Sequence, residues 1–226
     1  EELVLAFPLC LEIENNGRKL MVEEELKIRA AQGRLFLRTA GGLCFDSVRS
    51  LLVSSPTGPV KIEGSAWQGE YPGYLEIYPQ ENLLQVINRV NLEDYTAAVL
   101  GQEMPLFWEE EALKAQAVLI RTFAVHGSGA HKEFDFCSTT HCQVYKGLTP
   151  SMARAAEIAL ATEGLVLGYN GRTVPVFYHS ACGGILSSPQ DVWGETQEYT
   201  AHFREGSCKW GGEILCRQSP YFAWQR

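Results

Sequence analysis

The hydrophobic period of this chain changes once, near residue 90, and that change limits what it can fold into. From Glu1 to about Val90 the apolar residues come in short β-prone runs broken by turn residues. Leu3 to Phe7, Leu9 to Glu14, Lys19 to Val22, Leu35 to Arg38, Ser50 to Val53, Tyr74 to Tyr78 and Leu83 to Ile87 read as strands. Asn15-Asn16-Gly17 is a hairpin signal, and Gly41-Gly42, Pro56 to Pro59 and Tyr71-Pro72-Gly73 supply further joints. Beyond residue 90 the runs lengthen to helical spacing, with helices expected over Asn91 to about Gly101, Glu109 to about His126 and Pro150 to about Thr162. Thr149 is the N-cap of the third and Gly164 its stop. Leu165 to Tyr169 and Val174 to Ser180 then form a hairpin around Asn170-Gly171. The fold class is α+β: a β-rich N-terminal scaffold over residues 1–90, then, within 91–226, a helical core and a C-terminal β-hairpin region.

The first helix ends at a carboxylate. Asn91 can cap its start, with Glu93 and Asp94 in the first turn, and Pro105 stops it. A residue before proline is pushed out of the α region, so Met104 should leave the helix and Glu103 should lie in its last turn. There the helix dipole is negative, and Leu106, Phe107 and Trp108 are placed to exclude water. Both effects disfavour the ionised form, which suits a general acid. A surface Glu before a Pro turn is the plainer reading of the same five residues.

In the second helix Lys114 and Arg121 share one side, within about 20 degrees at helical spacing, and nearly all the rest is apolar. Such a helix should be buried. Gln116 points among Leu119, Ile120 and Phe123, and a buried amide needs partners: a loop to tie down, or a substrate. The strand Val174 to Ser180 delivers Tyr178, His179 and Ser180 into the loop Ala181-Cys182-Gly183-Gly184, either a tight turn or a close approach to a ligand.

The 226 residues suffice for one large domain or two small ones. No apolar run approaches the roughly 18 residues of a membrane span. The abrupt start at Glu1 suggests a mature or trimmed chain whose targeting segment has been removed. With 19 basic against 27 acidic residues and a net charge of -8, nucleic acid is not an expected partner. Seven cysteines, five of them in the second half, favour local sites over a disulfide framework. His131, Cys137, His141 and Cys142 fall in one loop-like stretch and are zinc-type ligands, although adjacent His141 and Cys142 need a sharp backbone bend. A Cys137–Cys142 disulfide, natural in an exported protein, is the competing reading. Cys208 and Cys216 look like a disulfide or two free thiols, with only His202 nearby as a further ligand.

GQEMPLFWEEEALKAQAVLIRTFAV from Gly101, HCQVYKG from His141, ATEGLVLGYNGRTVPVFYHSACGG from Ala161 and SPYFAW from Ser219 resemble the stage II sporulation protein D family of peptidoglycan lytic transglycosylases. NLEDYTAAVL and GEYPGYLEIYP resemble the same family, so the likeness spans most of the chain. It implies that the helical core is catalytic, with Glu103 as the acid of the EMP motif, cleaving the bond after N-acetylmuramic acid to leave a 1,6-anhydro end. It implies denuded glycan strands as the preferred substrate, a cell-wall amidase as partner, and an extracytoplasmic location. Any membrane contact would come through the removed N-terminal segment. It also implies a zinc in some members at positions matching His131, Cys137, His141 and Cys142, structural and not required for the chemistry. Where many relatives carry Ser-Ser-Gly-Gly, this chain has Ser180-Ala181-Cys182-Gly183-Gly184, which puts that loop's hydrogen-bonding role in doubt.

Ordinary glycosidases need two carboxylates, but an internal nucleophile lets one act as acid and then base. Gln116, Arg121, Gln143, Tyr145, Tyr178 and Ser180 are candidates for positioning substrate. Two rivals remain: a non-catalytic glycan-binding amidase activator of the same fold, and a zinc hydrolase, which needs an open coordination position.

Overall fold

Alternation of apolar and polar side chains assembles the N-terminal strands into two antiparallel sheets. The computed structural model describes residues 2–6, 8–13, 19–63, 68–127, 131–148, 152–194, 208–210 and 212–223. Its strands are β1 (Glu2–Leu5), β2 (Leu9–Ile13), β3 (Lys19–Val22), β4 (Leu26–Ala31), β5 (Arg34–Thr39), β6 (Cys44–Val48), β7 (Leu51–Ser54), β8 (Val60–Glu63), β9 (Gly69–Tyr71), β10 (Tyr74–Gln80) and β11 (Leu83–Arg89). One sheet has the order β6-β5-β4-β1-β8-β9 and the other β11-β10-β7-β2-β3. Leu3, Leu5, Ile28, Leu37, Val60 and Ile62 from the first and Leu9, Leu11, Leu51, Val53, Leu75 and Ile77 from the second are buried in one core. Every second residue of β4, β7 and β8 turns inward, which is the pleat period of a half-buried strand.

The expected pairing of β2 with β3 is present, from Leu9 opposite Val22 to Glu12 opposite Lys19. The Asn15-Asn16-Gly17 turn lies outside the described residues. Strands β4, β6, β8 and β9 were not separable in the sequence, because charged and turn residues interrupt their short apolar runs.

Three helices follow: α1 (Leu92–Glu103), α2 (Glu110–His126) and α3 (Ala153–Ala161). The Asn91 side chain caps α1 by accepting the Asp94 N–H at 2.8 Å. Tyr95 to Leu100 are buried without a break, so α1 is the enclosed helix. This corrects the expectation for α2, which buries Leu113, Ala117, Ile120, Arg121 and Thr122 while Val125 stays 48% exposed. Small residues Thr96, Ala97 and Ala98 let α2 and α3 close on α1. Thr149 and Pro150, expected to start α3, lie outside the described residues, and Gly164 adopts the left-handed φ of +72° just past its end.

By compactness the chain divides into two units, Glu1–Leu167 and Gly168–Arg226. The sheets and the helical cluster share a unit because Tyr145 packs against both cores. In the second unit the Asn170-Gly171 turn forms, with φ of 51° and 76°, but its strands β12 (Gly168–Tyr169) and β13 (Arg172–Thr173) are only two residues each. Val174 to Ser180 is therefore not a strand. A short helix, α4 (Pro189–Trp193), begins at a capping box of Ser188 and Asp191.

Candidate active site

Glu103 is the last residue of α1, and Met104 leaves the helix at φ -133°, ψ 142°, as Pro105 demands. The Glu103 side chain is half-buried, and its Oε1 accepts the Val144 N–H at 3.0 Å. Among the described residues Oε2 has no partner, and no cation pairs with this carboxylate. The aromatic shielding expected from the sequence is absent. Phe107 is 83% exposed and Trp108 48%, because the turn after Pro105 carries both outward while Leu106 packs on the helical cluster.

The strip Gln143-Val144-Tyr145 fixes that carboxylate relative to the sheets. Gln143 is buried and its Oε1 accepts the Tyr95 hydroxyl at 2.9 Å. The Tyr145 hydroxyl donates to Asn88 Oδ1, and its ring stacks on Tyr95 with centroids 5.4 Å apart. Burial, followed by the nearby Tyr71 and Asp94, pushes the Tyr145 phenol well above its usual range. Gly147 lets the strip turn back onto β9. Its φ is +71°, a Cβ there would meet Glu70 O at 2.5 Å, and Leu148 N–H donates to the same carbonyl at 2.7 Å. Gln143 is packed inside, whereas Tyr145 is half-buried and also lines a cavity.

Arg121 requires a correction. The sequence places it on the polar side of α2, yet it is fully buried between the helices. Its Nε donates to Glu93 Oε1 at 2.9 Å, and its other N–H groups reach Ala159 O at 2.9 Å and Leu165 O at 3.1 Å. The guanidinium joins α1, α2 and α3 and is unavailable to a ligand. Gln116 Nε2 is buried and lacks a partner among the described residues. Tyr178 and Ser180 belong to the second unit, the first half-buried and the second exposed.

The four zinc-type ligands do converge. Their donor atoms all lie within 4.8 Å of one another. His131 Nε2 is 3.3 Å from Cys142 Sγ, and His141 Nδ1 is 3.4 Å from Cys142 Sγ and 3.7 Å from Cys137 Sγ. Zinc bonds of about 2.0 Å to nitrogen and 2.3 Å to sulfur give tetrahedral edges of roughly 3.5 Å, so the donor set fits that ion. The sharp bend required at His141-Cys142 is a turn closed by Cys142 N–H on Thr139 O at 3.1 Å. Cys137 and Cys142 are free thiols. Burial raises the Cys137 thiol, but hydrogen bonds from Thr139, Cys142 and His141 outweigh it and hold it at about 6. Burial raises the Cys142 thiol, with the Cys137 charge adding to the rise.

A cavity of about 920 Å³ opens beside this loop, walled by Tyr71, Tyr74, Tyr95, Phe136 and Tyr145 with Asn88, Arg89 and Asp135 among its polar groups. Glu103 is not among its lining residues. Tyr145 was a candidate from the sequence; Tyr71, Tyr74, Tyr95 and Phe136 were missed because they come from β9, β10, α1 and the loop, with no common spacing. The Val144 N–H was missed because a backbone donor has no side-chain signature.

Residues 80–169 match the family described as Stage II sporulation protein. Over 170 residues the chain is 26% identical to stage II sporulation protein D of Bacillus subtilis, covering 68% of this chain and 49% of that protein. Residues 80–169 are thus a stage II sporulation protein domain, and the curated match supports the same family. The family segment holds Glu103, the Val144 contact and all four zinc-type ligands, whereas Tyr178 and Ser180 fall after it. Two further relatives are an uncharacterized protein of Brachyspira hyodysenteriae, 35% identical over 142 residues, and the amidase enhancer of Bacillus subtilis, 36% identical over 103 residues. The first match covers 62% of this chain and 39% of the relative; the second covers 45% and 14%. The chain therefore spans half or less of these relatives' lengths.

Proposed function

We propose that this chain is a lytic transglycosylase of the bacterial cell wall, cleaving the bond between N-acetylmuramic acid and N-acetylglucosamine in denuded peptidoglycan strands. The observation that carries the reading is the asymmetry of Glu103: one oxygen accepts the Val144 N–H, and the other has no partner among the described residues. Since Oε1 accepts a proton donor, the acidic proton belongs on Oε2. Oε2–H protonates the glycosidic oxygen as its bond to C1 breaks, and the leaving N-acetylglucosamine takes the proton away. The acetamido oxygen of the muramic sugar bonds C1 in the interim. Oε2, now ionised, removes the proton of the C6 hydroxyl as O6 attacks C1 and releases the acetamido group. The 1,6-anhydro ring results, Glu103 is protonated again, and no water is consumed.

One carboxylate suffices for this chemistry, and the other acid buried against the helices, Glu93, is neutralised by Arg121. The aromatic cavity suits sugar rings, but we place the reacting bond at Glu103, where an open carboxylate oxygen exists. Tyr178 and Ser180 are proposed substrate contacts, and Gln116 has an amide N–H to offer. His131, Cys137, His141 and Cys142 would hold zinc, which when bound would brace the loop carrying Val144. Four protein donors leave no open corner for a hydrolytic water, which sets this reading apart from a zinc hydrolase. An exported location at the cell wall and an upstream amidase, supplying strands freed of stem peptides, belong to the same proposal; a relative's name, amidase enhancer, supports that association.

Digestion of denuded strands, with products weighed by mass spectrometry, tests it. Anhydro-ended fragments are expected from the native chain, and reducing ends would overturn the reading. An amidase activator would instead raise amidase turnover equally well with Glu103→Gln.

A further inference from the structure

Residues 168–226 form a unit whose described residues make almost no hydrophobic core. Val176 is its one buried apolar side chain among the described residues, while Phe177, Ile185, Val192, Leu215 and Tyr221 are exposed by 48% to 73%. Units this small commonly need a disulfide or a metal to remain folded.

Three cysteines meet in this unit although they are far apart in the chain. The sulfurs of Cys182, Cys208 and Cys216 all lie within 4.8 Å of one another, with Cys182 and Cys216 3.3 Å apart and none joined in a disulfide. Backbone bonds hold the segments that carry them. The Cys208 N–H donates to Gly184 O at 3.0 Å, and the Leu215 N–H donates to Cys208 O at 2.8 Å. Strands β14 (Lys209–Trp210) and β15 (Glu213–Ile214) pair between Cys208 and Cys216 and bring them together. Gly183 and Gly184, with φ of 65° and 96°, turn the Cys182 segment back. The sequence alone suggests at most a Cys208–Cys216 pair; the third member sits in a loop that reads there as either a tight turn or a close approach to a ligand.

We propose that Cys182, Cys208 and Cys216 form a second metal site, binding zinc as thiolates and holding the C-terminal unit together. A disulfide joins two sulfurs and leaves the third unused, whereas a tetrahedral zinc with bonds of about 2.3 Å wants sulfurs roughly 3.8 Å apart at three corners, and the three here lie 3.3 Å apart in one pair and within 4.8 Å in all. The ion displaces three thiol protons, and solvent takes its fourth corner. The site is independent of the reading of Glu103.

Zinc content of the purified full chain is the direct test, with two equivalents expected, one for each cluster. Cys208→Ser should lose one equivalent and keep the other, and Cys137→Ser should lose the complementary one. Alkylation of the unaltered chain covers the case in which Cys208→Ser fails to fold. Cys182, Cys208 and Cys216 should be protected until a chelator is added and then react without any reductant. Release by reductant alone, a mass lower by two hydrogens, or alkylation of all three without a chelator would overturn the proposal.

Discussion

Glu93 and Glu103 sit at opposite ends of α1, and their surroundings give them opposite roles. Glu93 is paired with the fully buried Arg121, while Glu103 keeps an oxygen open. Removing the guanidinium leaves a largely enclosed carboxylate without its cation, so Arg121→Met should cost about 3 kcal/mol of stability in urea unfolding. The double variant with Glu93→Gln should recover part of that loss, because no unpaired charge remains. Tyr145 gives a pH signature. Its phenol has a raised pKa in the folded chain against an ordinary 10.0, so the folded state keeps a proton that the unfolded state releases. Stability is full below about pH 10 and falls as pH rises beyond it, by up to about 1.4 kcal/mol per pH unit. Unfolding free energies measured from pH 8 to 11 should show the decline, and Tyr145→Phe should flatten it.

At the scale of elements the loop from His131 to Leu148 matters most, since it carries the four-ligand cluster, the Val144 N–H and the Tyr145 ring. Gly147→Ala forces a side chain at φ +71° against Glu70 O. It should cost about 2 kcal/mol and lower kcat more than it raises KM, as the strip holding Glu103 shifts. Loss of the α1 cap in Asn91→Ala should cost about 1 kcal/mol, read from the same unfolding curves. The sequence made such local features legible: the Asn91 cap, the exit of Met104 before Pro105, the pairing of β2 with β3, and the strand runs of β10 and β11. It misled where the outcome depends on neighbours. Apolar content marked α2 as the buried helix, but small side chains allow α1 to be enclosed. Helical spacing put Arg121 with Lys114, but nothing near Arg121 in sequence announces Glu93, and the Cys182 cluster joins segments with no shared motif.

Across the whole molecule the two cysteine clusters serve different units, one in Glu1–Leu167 and one in Gly168–Arg226. Chelation should therefore lower the thermal midpoint of the chain by several degrees without altering the type of product released, because neither cluster takes part in proton transfer. The central claim is that one carboxylate, Glu103, acts first as acid and then as base. Mass spectrometry of denuded strands treated with the native chain and with a folded Glu103→Gln variant tests it most directly. Anhydro-muramic ends from the native chain that vanish in the variant are the predicted result; undiminished anhydro ends in Glu103→Gln, or reducing ends from the native chain, would contradict it.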